Sequence, residues 1–170
     1  GKGYRFFVEA RLGSTAIGSD IDFVQLRAQA NFIRALGASN RILLRGELGT
    51  TITDDFALFP PSQRFYAGGD RSIRGYGYRE LGPEIGGVVF GGQHLAVASA
   101  EFEHMFTPTW GGAAFVDAGD AFDDQFDANV GVGLGVRWRS PVGPIRFDVA
   151  RGLNEPDQSF RLHISLGPDL

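Results

Sequence analysis

The chain has 170 residues, which suits one domain, and its 43% hydrophobic and 21% charged content excludes a disordered polymer. The net charge of −4 and the pI near 5.3 argue against a nucleic-acid partner, which would require a basic face. The absence of cysteine excludes a disulfide framework and a zinc–thiolate site. No apolar run approaches the roughly 18 residues of a membrane-spanning helix, but membrane strands need only about 9–11 alternating residues.

Eight segments alternate between apolar and polar residues, which predicts an all-β chain of antiparallel strands. In the first segment, Tyr4, Phe6 and Val8 share one face, whereas Arg5 and Glu9 share the other. The same alternation returns in the segments 23–32, 41–52, 96–106, 113–118, 130–139, 145–149 and 160–166. We therefore predict eight strands, each with an apolar and a polar face.

The connections between these strands favour a transmembrane β-barrel. Short turns at 37–40, 107–108 and 140–144 lie on one side of the sheet, and the other side carries longer loops, as in outer-membrane barrels. The apolar faces carry almost no charge, and Lys2 is the only lysine, unlike the lysine-rich surface of most soluble sheets. Alternation alone leaves open a soluble ligand-binding barrel with an apolar interior and charges facing water.

The longest connection, at about residues 54–92, is the most distinctive segment. Loops of about 40 residues are uncommon unless they are functional or disordered. This loop is rich in glycine and arginine, and it carries too many large apolar side chains for a disordered tether. Those side chains are Phe65, Tyr66, Ile73, Tyr76 and Tyr78. We expect the loop to fold onto another part of the molecule or, alternatively, to pack on itself at the surface.

Four ordered motifs carry a resemblance to a known family. The segment 65–76 resembles the lid-loop signature of the BamA/TamA superfamily of outer-membrane assembly proteins, which centres on an Arg-Gly-aromatic triplet, here Arg74-Gly75-Tyr76. The segments 96–102, 115–119 and 131–145 resemble the family's following strand, its Phe-x-Asp-x-Gly motif and its strand–turn–strand near the C-terminus. The resemblance is strong from residue 64 onward, and the ending at 166–170 is closer to the TamA branch.

The resemblance implies a barrel of sixteen strands, usually preceded by periplasmic POTRA domains. Because eight strands and no POTRA region are found here, we expect residues 1–170 to be a single barrel-type domain or half-domain, the C-terminal half of such a barrel. We expect it in the outer membrane of a Gram-negative bacterium, surrounded by lipid. Absent strands or a second copy of the chain would complete the barrel, since unpaired edges cannot stay exposed in lipid.

The function that the resemblance implies is insertion or translocation, in which the barrel assists the assembly of client β-barrel or autotransporter proteins. Domains N-terminal to the barrel would bind a periplasmic partner. We predict a protein that is not an enzyme, with no catalytic residues, no cofactor and no metal; the three histidines lack metal-ligand spacing. Two other functions stay open, a two-partner-type secretion pore and a small closed barrel with a structural or anchoring role.

The predicted functional residues are those of the lid loop and of the wall that receives it. The lid-loop motif comprises Gly68, Gly69, Asp70, Arg71, Arg74, Gly75 and Tyr76. Alternation puts Glu101 and Asp117 on the polar face of neighbouring strands, where both carboxylates can converge on the guanidinium of Arg74. The resemblance assigns the same pairing to Arg74 and Asp117. Phe115 and Gly119 complete the supporting motif.

Further predictions concern the last strand and the two faces of the sheet. The last strand would form one side of a weak seam between the first and last strands of the barrel, and it carries Phe160, Leu162, Ile164 and Leu166. The residues predicted to face hydrocarbon are Val24, Leu26, Leu44, Val116, Val132, Leu134, Phe147 and Ile164. Gly131, Gly133 and Gly135 should leave room for the lid loop on the polar face. Because the polar face does not meet hydrocarbon, an arginine at Gly133 should be tolerated better in a bilayer than one at Val132.

Overall fold

The computed structural model describes residues 2–154 and 159–167, and its main element is one antiparallel sheet of eight long strands. These strands are β1 (Lys2–Gly13), β2 (Phe23–Leu36), β3 (Asn40–Thr53), β6 (His94–Met105), β7 (Trp110–Phe122), β8 (Asn129–Ser140), β9 (Gly143–Gly152) and β10 (Phe160–Leu166). Two short strands, β4 (Glu84–Ile85) and β5 (Val88–Val89), form a separate hairpin. The order in the sheet is β1-β2-β3-β6-β7-β8-β9-β10, so each long strand pairs with its neighbours in sequence.

The two faces of the sheet differ as the alternation predicts. The residues predicted to face hydrocarbon lie on one face, exposed or half-buried; Leu134, for example, is 67% exposed. We call this the lipid face, and the opposite, polar face the lumen face. Trp110 and Trp138 stack with ring centroids 5.3 Å apart beside the short turns. No helix among the described residues is long and apolar enough to span a membrane.

The two outermost strands leave the sheet open. In the part of the chain that the structure describes, β1 pairs with β2 and β10 pairs with β9, and no pairing joins β1 to β10. A small closed eight-stranded barrel would need that pairing, because closure is what removes the edges of a membrane sheet. Each outer strand therefore presents backbone donors and acceptors to a further strand.

The differences from the predicted elements lie at boundaries and in the long loop. β7 extends well beyond the predicted 113–118 in both directions, and β9 begins within the predicted turn at 140–144. The β4–β5 hairpin was not predicted, because strands of two residues are too short to display an alternation. Residues 155–158, between β9 and β10, and the last three residues of the TamA-like ending fall outside the described residues.

The long loop builds a hydrophobic core on the lumen face. Its buried side chains pack with two apolar residues of β6 and one of β7, forming a cluster of Phe65, Ala67, Ile73, Tyr76, Leu81, Leu95, Val97 and Ala121. Backbone bonds fasten the loop further, since the Phe65 amide donates to Gly92 at 3.0 Å and the Ala67 amide donates to Leu81 at 2.9 Å. The loop is therefore ordered against the wall, and we refer to residues 54–93 as the lid loop.

Candidate functional site at the lid loop

A tight turn at the centre of the lid loop projects Arg74 toward the sheet. The amide of Gly69 donates to the carbonyl of Ile73 at 3.2 Å, and the amide of Ser72 donates back to Gly69 at 3.0 Å. Gly68, at a φ of 95°, closes this turn, and a Cβ there would lie 2.4 Å from the carbonyl oxygen of Gly77. The glycines of the motif therefore give the loop the curvature that brings Arg74 to the wall.

Arg74 is 5% exposed and bonds three carboxylates of the lumen face. Its Nε and Nη2 donate to the two oxygens of Asp117 at 2.8 and 3.0 Å, a bidentate pair. Its Nη1 donates to Glu101 at 2.7 Å and to Asp148 at 3.0 Å. The backbone amide of Arg74 adds a third bond to Asp117, at 3.0 Å. The loop is thus held by one side chain to β6, β7 and β9.

A second arginine, Arg137 of β8, completes a buried network of charges. Its Nη2 donates to Glu101 at 2.6 Å, its Nε donates to Glu103 at 2.8 Å, and its Nη1 donates to Asp148 at 2.5 Å. Arg41 bonds the other oxygen of Glu103. Since Glu101 and Asp148 each accept from both Arg74 and Arg137, the lid loop and the wall share one hydrogen-bonded network.

Burial and charge act in opposite directions on the pKa of Arg74. Burial alone would lower the pKa, but the hydrogen bonds and negative charge of Asp117 and the charge of Glu101 raise it above its usual value. Arg74 is therefore a permanent cation at any physiological pH. Removing one member of such a buried set leaves its partners uncompensated, which costs about 3–5 kcal/mol.

Phe115 and Gly131 shape the space that Arg74 enters. The guanidinium carbon lies 3.3 Å from the centroid of the Phe115 ring, so the cation also contacts an aromatic face. A Cβ at Gly131 would lie 1.8 Å from the carbonyl oxygen of Arg74. Gly119 allows the backbone of β6 to approach closely, because a Cβ there would lie 2.3 Å from the carbonyl oxygen of Ala96. Phe115 and Gly131 therefore border Arg74 directly, whereas Gly119 acts at the contact between β6 and β7.

One expectation about the glycine row is wrong. A Cβ at Gly133 would lie 2.4 Å from both the Phe115 ring and the carbonyl oxygen of Val149, so this position has no room for an arginine. Gly133 makes space for the ring of its cross-strand partner, whereas Gly135 makes space for the side chains of Arg137 and Asp148. Among the three glycines, Gly131 is the one that receives the lid loop directly.

The two residues after Arg74 seat the loop on β9. Gly75 has a φ of 98°, and a Cβ there would lie 2.5 Å from the backbone of Arg151. Tyr76 is fully buried with its ring against Gly152, and its hydroxyl donates to the carbonyl of Val130 at 3.3 Å. The whole Arg-Gly-Tyr triplet therefore contacts the wall.

The remaining predicted residues divide between the loop surface and the lipid face. Asp70 bonds His163 of β10, whereas Arg71 is exposed. The four predicted seam residues are exposed on the lipid face of β10 and lie on the opposite side from the lid loop. Sequence reasoning did not assign Asp148, Arg137 or His163 to the site, although alternation placed all three on the polar face. Within residues 2–154 and 159–167, no three His, Asp or Glu side chains are arranged so that they could hold a metal ion.

The class of protein follows from the sheet, the lid loop and a sequence comparison. The chain matches the Omp85 superfamily domain over residues 1–169. It therefore belongs to the Omp85 superfamily, and its place is the outer membrane of a Gram-negative bacterium. The match includes the first 63 residues, where the sequence shows the alternation of strands but none of the four family motifs.

Two individual proteins are similar to this chain. It is 31% identical, over 180 aligned positions, to the outer membrane protein assembly factor BamA of Nitratidesulfovibrio vulgaris (strain Hildenborough), covering 98% of this chain and 23% of that protein. Its fold is similar to that in the crystal structure of BamA from Haemophilus ducreyi lacking POTRA domains 1-3. That match has a TM-score of 0.81 at 20% identity and covers 96% of this chain and 37% of that one. The chain thus spans well under half the length of either protein.

Proposed function

We propose that this chain forms the lid-bearing, C-terminal half of an Omp85 barrel of about sixteen strands, which assists the insertion of client proteins into the outer membrane. The clients would be β-barrel or autotransporter proteins, and domains outside this chain would bind a periplasmic partner. The BamA relative, an outer membrane protein assembly factor, supports the assembly role. The TamA-like character rests on the sequence motifs alone.

The observation that carries the proposal is the buried network around Arg74. It fastens a loop of about 40 residues across the lumen face through carboxylates of three strands. A loop held in this way lies across the lumen face, and it would have to leave that position to open a passage for a secreted protein. An anchored lid suits a barrel that works at its wall and edges.

The open edge of β10 gives such a barrel a means of contacting clients, whereas the edge of β1 would pair with the preceding strand of the complete barrel. An unpaired strand edge binds another strand through backbone hydrogen bonds, and no nucleotide or cofactor is needed for that exchange. In a complete barrel, the edge of β10 would form one side of a seam with the first strand. The proposed function is therefore non-enzymatic, because strand edges exchange backbone hydrogen bonds and the apolar faces of the clients become buried in lipid.

The test is client insertion by the full-length protein in lipid vesicles. An unfolded outer-membrane barrel is added, and its folded, protease-resistant form is measured over time. We expect Arg74→Ala to slow insertion at least about tenfold while the barrel stays folded, because the lid loses its anchor. Arg11→Ala, an exposed position on β1, is the matched control and should insert clients at the wild-type rate.

Two results would overturn the proposal. If Arg74→Ala inserts clients at the wild-type rate, anchoring of the lid loop by Arg74 is not needed for insertion. Passage of a soluble partner protein across the vesicle membrane, without any insertion of clients, would favour the secretion pore.

A further inference from the structure

The last strand, β10, contacts the lid loop directly through side chains of its lumen face. The backbone amide of Gly75 donates to Nε2 of His163 at 3.1 Å, and Nδ1 of the same ring bonds the carboxylate of Asp70. Two residues earlier, Nη2 of Arg161 donates to Glu80 at 2.8 Å. β10 is thus attached to the lid loop as well as to β9.

The two bonds of His163 determine which ring nitrogen carries a proton. Since the Gly75 amide is a donor, Nε2 must accept and is unprotonated. Nδ1 then holds the proton and donates it to the carboxylate of Asp70. One ring therefore bridges two points of the lid loop, as an acceptor at one end and a donor at the other.

These contacts matter because β10 is the long strand with the shortest ladder. In the part of the chain that the structure describes, it has 7 residues and pairs only with β9, whereas β2 has 14 residues and pairs on both sides. The side-chain bonds to the lid loop therefore make up a larger share of its attachment than they would for a central strand. His163 is 7% exposed, so its bond to the Gly75 amide is shielded from water, whereas Asp70 and the Arg161–Glu80 pair are partly exposed.

The attachment of β10 is also continuous with the Arg74 network. Gly75 directly follows Arg74 in the chain, and the cross-strand partner of His163 is Asp148, which accepts from Arg74. A shift that withdraws Arg74 from the wall would carry the Gly75 amide away from Nε2. A shift of β10 away from β9 would pull on Gly75 and Asp70 in turn.

We infer that His163 is a positioning residue that couples the docking of the lid loop to the position of the last strand. With the lid docked, β10 is held against β9. When the lid leaves the wall, β10 keeps only its backbone ladder and separates more readily. Coupling of this kind is reciprocal, so loosening either partner loosens the other. The inference concerns the mechanics of this chain and does not depend on the proposed role in client insertion.

The test is amide hydrogen exchange of the full-length protein in lipid nanodiscs, without any client. His163→Leu fills the same buried position with an apolar side chain and removes both bonds. We expect exchange to become about tenfold faster in the lid segment 70–77 and in β10 alike. Asp70→Ala, a change at a half-exposed side chain in the loop, should speed exchange in β10 in the same direction. It keeps the test informative if His163→Leu fails to fold.

Conservative and neighbouring variants separate coupling from local damage. His163→Gln supplies an acceptor near the position of Nε2 and should restore part of the Gly75 protection. Ser165→Ala, at an exposed position of β10, and Ser62→Ala, at an exposed position of the lid loop, should leave the opposite partner unchanged. In ¹⁵N spectra, the His163 ring should carry its proton on Nδ1.

Three outcomes would overturn the inference. The first is faster exchange of β10 alone in His163→Leu, with the lid segment unchanged. The second is an Asp70→Ala variant in which β10 exchanges at the wild-type rate. The third is a His163 ring protonated on Nε2, because that nitrogen could not then accept from the Gly75 amide.

Discussion

β1 and β7 carry the same alternation of residues, yet their lumen faces have different surroundings. On β7, Phe115 and Asp117 are buried beneath the lid loop. On β1, Arg5, Phe7 and Arg11 occupy the same face and are exposed. Alternation determines which face a side chain occupies, but the lid loop determines whether that face is dry. A charge under the lid must be paired, whereas a charge on β1 can be solvated by water.

The largest difference between the two regions should appear when an arginine is removed from each. Arg74→Ala should lower the free energy of unfolding by about 3–5 kcal/mol, because Asp117, Glu101 and Asp148 lose a buried partner. Arg11→Ala should change it by less than about 0.5 kcal/mol, since the Arg11–Glu9 pair is largely exposed. Denaturant titration in detergent checks both. Equal effects would mean that the lid does not exclude water.

The second prediction contrasts the two faces rather than the two regions. An arginine at Leu134, in the middle of β8 on the lipid face, should cost about 2–4 kcal/mol in a bilayer. An arginine at Gln29, half-buried on the lumen face of β2, should cost far less. Folding yield and unfolding free energy in lipid vesicles measure both variants. If the two variants have the same folding yield and unfolding free energy, the face that we call the lipid face is not the one that contacts hydrocarbon.

The third prediction concerns glycine on the two faces. Gly131→Ala should cost about 1–3 kcal/mol, because the new methyl group would overlap the carbonyl oxygen of Arg74 and displace the lid. Gly46→Ala, in β3, meets open space and should be neutral or slightly stabilising. Protease access to the lid loop is the sharper readout. A lid equally protected in both variants would show that the lid is not seated on Gly131.

A smaller loss than that of Arg74→Ala, Leu134→Arg or Gly131→Ala is expected at the border of the lid loop. Arg27 of β2 pairs with Glu47 at 2.6 Å, but the side chain of Arg27 is 41% exposed. Arg27→Ala should therefore cost about 1 kcal/mol or less, between the values for Arg11 and Arg74. The same denaturant titration applies, at low and high salt. A loss of unfolding free energy as large as that of Arg74→Ala would show that water is excluded from the lumen face as far as β2.

Much of the fold could be predicted because alternation is a local signal. The eight long strands and their two faces follow from the period of two along each segment. The β4–β5 hairpin could not be predicted in this way, and neither could the exact limits of β7. Leu95 and Val97 are apolar on the lumen face of β6, and this exception to the alternation is a signal of the lid core that sequence reasoning did not use.

Residues of the site could be predicted only where a sequence motif or its expected partners identified them. The lid signature points to Arg74, and alternation offered Glu101 and Asp117 as partners. Asp148 and Arg137 lay on the correct face, but alternation does not say which polar residues meet a loop from elsewhere in the chain. The contact between Asp70 and His163 joins residues 93 positions apart, and nothing local connects them.

The most direct test of the docked lid is a double-mutant cycle between Arg74 and Asp117, read as the unfolding free energy of the full-length protein in lipid. Arg74→Ala, Asp117→Ala and the double variant are compared with the wild type. If Arg74 is held by Asp117 in a dry site, the double variant should be more stable than the sum of the single losses predicts, by at least about 1 kcal/mol. Losses that simply add would contradict the buried pair and, with it, the docked lid.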